Sequence, residues 1–286
     1  MRFLRFLHRP EAEWFDLRRL TRPKRQRFQG RIRQLTQFAY LGDGVGLCRV
    51  LGRYKLYVDT QDVGVSSHLM LDGYWELWVT EVLVAHLRRG MVAVDVGANL
   101  GYFTMVMADL VGASGKVHAF EPNPSVVRHL RRSTHVNGFR ERVAIYSDPL
   151  GEHDGERVVL DVPDFYPGGT TTVPAPADAE DGVLTMRRMD SYPELADADI
   201  IKIDAEGAEQ AIWRGMTGIF ARRRPMMILL EFVRGRYDDP EGFVDEMIAE
   251  GFALNQVTAT KSLRPITRRE ILDLPPEEDI MLILVR

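Results

Sequence analysis

Five short apolar runs, MVAVDVG, KVHAFEP, VAIYSDP, DIIKIDAEG and MMILLEF, recur through residues 91–232 with helix-like segments between them. A strand exposed on one face alternates apolar with polar residues. These runs are nearly continuous, the pattern of strands covered on both faces. Strands of that kind separated by helices build a doubly wound, mostly parallel sheet. Two later segments, FALNQV and DIMLILVR, are separated only by a loop region and read as a terminal antiparallel pair, so the expected sheet has seven strands.

A chain of 286 residues, 45% of them hydrophobic, suffices for one such α/β domain with a short extension. The expected division is a basic helical extension over residues 1–45, a small hairpin and helix region over 46–90, and the cofactor domain over 91–286. Residues 1–40 hold 11 Lys and Arg against 3 Asp and Glu; the whole chain has 37 against 41, which leaves 26 against 38 for the rest. An arm of net +8 therefore precedes a body of net −12. Phe3, Leu4, Phe6, Leu7, Trp14 and Phe15 lie among the arginines of the arm. Such a segment suits short amphipathic helices resting on an anionic membrane face, an acidic partner or a second protomer. The overall charge of −4 does not indicate a nucleic-acid binder.

The single cysteine, Cys48, permits no intrachain disulfide and no cysteine-based zinc site, and fits a reducing compartment. No run approaches the roughly 18 apolar residues of a membrane span, so the expected location is cytoplasmic, with membrane association through the arm left open. LCRVLGRYKLYVD reads as a hairpin, and HLMLDGYWELWVTEVLVAHLRRG as one helix closed by Gly90. The long stretch 151–188, rich in Gly, Pro, Asp and Thr, reads as a lid or an insertion with short strands at 158–162 and 183–186.

The chemistry concentrates at strand ends, where ligands of open α/β sheets bind. The first run ends in Asp95-Val96-Gly97-Ala98-Asn99-Leu100-Gly101, whose glycines allow a sharp turn and close approach to a ligand. A dinucleotide loop has a different glycine spacing, and Asp95 is a poor neighbour for pyrophosphate. It is a good one for the ammonium group of a cofactor with an amino-acid end. Glu121, in Phe120-Glu121-Pro122-Asn123 and 24 positions after Gly97, can accept hydrogen bonds from ribose hydroxyls. Ser147 and Asp148 end the third run, within reach of an adenine, although turn capping explains them nearly as well.

VDVGANLGYF, AFEPNP, YSDPLG, IIKIDAEGAE and LLEF, in this order, resemble the FkbM family of S-adenosylmethionine-dependent methyltransferases over residues 72–286. The resemblance implies a Rossmann-like methyltransferase fold and O-methylation of a hydroxyl on a sugar, glycan or polyketide-like product. It places Asp95, Gly97, Asn99 and Gly101 on the family's cofactor loop, Glu121 on its ribose acid and Asp148 on its third-strand motif. Tyr74 to Glu76 resembles the family's tyrosine–glutamate pair with Trp75 intervening, which brings Glu76 toward the cofactor.

At the fourth run, Lys202 and Asp204 share one side of the strand while Ile201 and Ile203 take the other. Asp204 then stands at the ligand edge as a candidate general base, with Glu231 at the end of the adjacent strand. Two carboxylates one strand spacing apart, about 4.8 Å, could instead share a divalent cation such as Mg²⁺. Glu206 and Glu209 have an adequate explanation as acids at the start of the following helix. His153 and His68 are the histidines placed to act as a base. Two other readings remain: a nicotinamide-dependent oxidoreductase, which Glu121 permits and the Asp95–Gly101 loop disfavours, and a non-catalytic cofactor-binding scaffold subunit.

Overall fold

A computed structural model describes residues 13–22, 24–258 and 263–286; the first leucines and phenylalanines of the basic arm lie outside them. A 3-10 turn, Leu17–Thr21, leads into α1 (Arg25–Leu35) and an antiparallel sheet of β1 (Gln37–Gly42), β2 (Val45–Val50) and β3 (Tyr54–Asp59). The β1–β2 hairpin spans the 45/46 boundary. Two helices follow, α2 (Val65–Leu71) and α3 (Leu77–His86), where the sequence suggested one. Gly73 makes the break. Its φ is +72°, its carbonyl accepts from the Leu51 amide at 2.7 Å, and a Cβ there would stand 1.9 Å from Thr36 Oγ1. The interruption lets Trp75 and Glu76 turn toward the main sheet instead of continuing the helix.

The main sheet uses β4 (Val92–Val96), β5 (Lys116–Phe120) and β6 (Val143–Tyr146), joined through α4 (Tyr102–Val111) and α5 (Pro124–Val136). Within the 151–188 insertion, β7 (Arg157–Asp161), β8 (Thr171–Pro174) and β9 (Leu184–Thr185) form a separate small sheet in the order β8-β7-β9. β7 and β9 fall where the sequence indicated short strands, whereas β8 arises in the glycine- and threonine-rich part. The chain then adds β10 (Ile200–Ile203), α6 (Glu209–Arg214), α7 (Thr217–Ala221), β11 (Met227–Val233), α8 (Pro240–Ala249), β12 (Ala253–Val257), β13 (Leu263–Pro265), α9 (Arg268–Leu272) and β14 (Asp279–Val285).

The order β13-β12-β14-β11-β10-β4-β5-β6 makes eight strands, not the seven expected. The addition is β13, a three-residue edge strand ending at Pro265, where proline's missing amide leaves no ladder bond unmade. β4, β5, β6, β10 and β11 are parallel, and β14 runs antiparallel to both β11 and β12. This is the doubly wound α/β sheet with an antiparallel strand that the sequence pattern requires.

Strand alternation sends neighbours to opposite layers. Ala93, Val117, Leu229 and Ile283 join one core with α3, α4 and α5, and Val94, Ile228, Leu230 and Leu282 join another with Trp213, Phe220 and Phe243. Phe15, Leu20, Ile32 and Leu56 belong to the first core, so residues 13–59 are packed into the same apolar layer as α3 and α4. Cys48 is buried there, and burial pushes its thiol up to about 12, as expected of a packing residue.

Candidate active site

The loop after β4 is shaped by what touches it. Gly97 has φ +71°, and a Cβ there would stand 1.7 Å from the carbonyl oxygen of Asp204, so the two strand ends meet only because this residue has no side chain. Asn99 holds the left-handed region at φ +49°, with its Oδ1 accepting from the Leu100 amide at 2.8 Å. From the end of β5, Glu121 reaches back to that loop. Its Oε2 accepts from the Asn99 amide and its Oε1 from the Asn123 amide, both at 2.9 Å. Burial pushes the Glu121 carboxyl up to about 7 against the pull of those two amides. A carboxylate oxygen accepts more than one hydrogen bond, so each retains capacity for a ligand hydroxyl.

On β10, Lys202 is 1% exposed, and its Nζ donates to Asp204 Oδ2 at 2.9 Å while lying 5.1 Å from the Phe103 ring centroid. In register beside it, Asp95 is fully buried; its Oδ2 accepts from Thr104 Oγ1 at 2.6 Å and its Oδ1 has no hydrogen-bond partner among the described residues. Across the sheet, Arg236 donates to Glu231 Oε2 at 2.6 Å and to Glu206 Oε2 at 2.8 Å. Burial, with repulsion from Asp204 added, pushes Glu231 up to about 8 and Glu76 up to about 7.

Glu76, Asn99, Glu121, Lys202, Asp204, Glu206, Glu231 and Arg236 open on one cavity of about 260 Å³, into which the insertion projects Tyr166, Gly168, Thr170 and Thr172. The insertion is tied down at three places. Asn123 Nδ2 donates to Thr170 Oγ1 at 2.9 Å, the Val63 amide donates to the Phe165 carbonyl at 2.9 Å, and Tyr166 lies so close over Gly64 that a Cβ there would stand 2.3 Å from its ring.

Residues 95–253 match the Methyltransferase FkbM domain. The chain belongs to the FkbM methyltransferase family. It is similar to a protein-L-isoaspartate O-methyltransferase of Methanothrix thermoacetophila, 32% identical over 38% of this chain and 59% of that protein. It is also similar to the 31-O-demethyl-FK506 methyltransferase FkbM of Streptomyces tacrolimicus, 38% identical over 34% of this chain and 36% of that protein. The matches thus span less than two thirds of these curated relatives. Among solved structures, a methyltransferase FkbM from Methylobacillus flagellatus is 15% identical over 71% of this chain and 45% of that one, with a TM-score of 0.45.

Membership in the FkbM family implies S-adenosylmethionine as cofactor, and the residues present fit it. Gly97, Ala98 and Asn99 bring turn backbone to the cavity wall, and Glu121 presents a buried carboxylate suited to ribose hydroxyls. Acidic walls suit a sulfonium. Of the sequence-derived cofactor residues, Glu76, Gly97, Ala98, Asn99, Glu121, Pro122 and Asp148 line the cavity. Asp95, Gly101, Asn123 and Ser147 do not. Asp95 is the buried neighbour of Lys202, Gly101 makes room for Leu130 at the start of α4, and Asn123 caps α5 by accepting from the Ser125 amide at 3.1 Å.

Asp204 and Glu231 both line the cavity at the ends of adjacent parallel strands. The shared-cation reading does not fit their surroundings, because Lys202 and Arg236 already neutralise them at hydrogen-bond distance. Among the described residues no cluster of three or more His, Cys, Asp and Glu could hold a metal ion. His153 and His68 have side chains 63% and 53% exposed and do not line the cavity, which removes them as bases for chemistry inside it. Glu209 does open α6, buried and accepting from the Ala205 and Gly207 amides of the preceding turn. Glu206 instead lies before the helix, lines the cavity and pairs with Arg236, so the helix-start explanation does not hold for it.

Among the cavity residues given no role from sequence, Lys202, Arg236 and Tyr166 carry charge or a polar group toward the site. Lys202 carried a signal, a lone cation inside an apolar strand, which must find counter-charges if buried. Arg236, on a short turn after β11, and Tyr166, inside the insertion, carried none.

Proposed function

We propose that this protein transfers the methyl group of S-adenosylmethionine to a hydroxyl of a sugar, glycan or polyketide-like acceptor. The observation that carries the reading is that Glu121 and Asp204, from the ends of β5 and β10, face one cavity on either side of the Gly97 loop. When bound, S-adenosylmethionine supplies an electrophilic methyl group on a positively charged sulfur. Glu121 orients the ribose, and the Gly97–Asn99 backbone sets how deeply the cofactor sits. Asp204 receives the acceptor's proton as the carbon–oxygen bond forms, because a free alcohol is too weak an acid to ionise beforehand. Lys202 holds the Asp204 carboxylate in place. Tyr166 and Thr172 of the insertion meet the acceptor, and burial together with the Glu206, Asp204 and Glu231 charges pushes the Tyr166 phenol up to about 12, so it remains a hydrogen-bond donor.

The names of these two curated relatives, a protein-L-isoaspartate O-methyltransferase and a 31-O-demethyl-FK506 methyltransferase, point to transfer to oxygen. Incubation with methyl-labelled S-adenosylmethionine and polyol, glycan and polyketide acceptors should yield a base-stable methyl ether. Label found only as a base-labile ester, or in no acceptor, would refute a hydroxyl acceptor.

Glu121→Ala should weaken S-adenosylhomocysteine binding by about 1.5–3 kcal/mol, the scale of a hydrogen bond to a charged group. Calorimetry reads this directly, and unchanged affinity would remove Glu121 from the ribose site.

A further inference from the structure

The 3-10 turn Leu17–Thr21 and α1 enclose a second cavity of about 310 Å³, remote from the Gly97 loop in sequence and sharing no lining residue with the first. Among the described residues its lining contains the five cations Arg19, Arg22, Lys24, Arg27 and Arg31 and no acid; Phe15 and Phe28 make its apolar floor. Other arginines of the same helix are spoken for by the body of the protein: Arg25 pairs with Glu81 at 2.6 Å and Arg33 with Asp72 at 2.7 Å. On the cavity side, Arg31 pairs with Glu13, whereas Arg19, Arg22, Lys24 and Arg27 have no ion-pair partner among the described residues. The nearby Asp16 is bonded to Arg18, which is not part of the lining.

Arg27 and Arg31 are four residues apart on one face of α1, and Lys24 stands just before its first turn, so three like charges crowd the same cavity and repel. A bound anionic group relieves that repulsion. Beside the cavity floor in sequence, Trp14 is 63% exposed, with the Arg53 guanidinium 5.7 Å from its ring centroid. That arginine is paired with Asp109, but an exposed tryptophan close in sequence to the unpaired cations Arg19, Arg22, Lys24 and Arg27 matches the composition of a surface that meets lipid headgroups. The charge asymmetry adds direction, since a body of net −12 is repelled by the surface that a +8 arm approaches.

We propose that this face docks on an anionic phospholipid surface, with a lipid phosphate seated among Arg19, Arg22, Lys24 and Arg27. The proposal is independent of the acceptor's identity. It places the enzyme where a membrane-borne or membrane-adjacent acceptor is concentrated, while Phe15 and Phe28 remain in the protein core.

Full-length protein should co-sediment with phosphatidylcholine vesicles containing phosphatidylglycerol and not with phosphatidylcholine alone. Binding should fall as salt rises, because the screening length shrinks from about 10 Å at 0.1 M to about 3 Å at 1 M. Each basic residue at an anionic surface contributes about a factor of five, so the double variant R22Q/R27Q should bind about 30-fold more weakly. Its Tm and S-adenosylhomocysteine affinity should equal those of the wild type, separating a docking defect from a folding defect. Equal binding to both vesicle types, binding to neither, or an unaltered R22Q/R27Q variant each overturns the proposal. Inorganic phosphate supplies the remaining arm: if calorimetry shows it bound through Arg22 and Arg27 while vesicles are ignored, the cavity serves a soluble phosphate and the lipid assignment fails.

Discussion

Asp204→Asn should lower turnover on an identified acceptor by about 10²-fold or more while changing cofactor affinity far less. Asparagine preserves the size of the side chain and an oxygen that can still accept from Lys202 Nζ, which is 2.9 Å from Asp204 in the native site. What it loses is the capacity to take a proton at the moment the acceptor oxygen bonds to carbon. A chelator should leave the native enzyme active, since Lys202 and Arg236 occupy the positions beside Asp204 and Glu231 that a divalent cation would need. Activity lost to chelation and restored by added Mg²⁺ would reinstate the shared-cation reading. Near-native turnover of Asp204→Asn would refute a base role altogether. The proton would then have to leave through Glu231 or Glu76, the raised carboxyls that also line the cavity.

The sequence made the parallel strands legible because both of their faces are buried, which removes polar residues from them almost entirely. β10 shows how far that goes: all four of its residues are buried, the lysine among them. Elements held by single contacts were not legible. The split between α2 and α3 depends on Gly73 approaching Thr36, a residue 37 positions earlier, and no local pattern carries that information. β13 is an edge strand of three residues, too short for periodicity to register. In the site, Gly97 and Glu121 were legible as strand-end residues, and both line the cavity, Gly97 because its backbone conformation restricts the residue types that fit. Arg236 and Tyr166 reach the cavity from a turn and an insertion, where many sequences would satisfy the chain locally.

Lys202→Met should destabilise the protein by about 3–5 kcal/mol at neutral to alkaline pH, the usual consequence of removing one partner from a buried ion pair. Burial alone would push the lysine's pKa down; Asp204 and Asp95 together hold it above its ordinary value, which shows how strongly this cation is tied to its neighbours. The dependence is reciprocal. Burial pushes Asp95 up to about 6 and Glu76 up to about 7, and in both Lys202 opposes the rise. Carboxyls titrate near 4 when unfolded, so between about pH 4 and 7 the folded state binds more protons, and stability falls as pH rises through that window. Without Lys202 the folded-state values move higher still, which deepens the loss above about pH 7 and leaves it small where the acids are already protonated. The Tm deficit of Lys202→Met should therefore be about 10 °C at about pH 8 and clearly smaller at about pH 5. Calorimetric melts at the two pH values read the difference. An equal deficit at both would mean that Lys202 contributes through packing against Phe103 and not as the counter-ion of the buried acids.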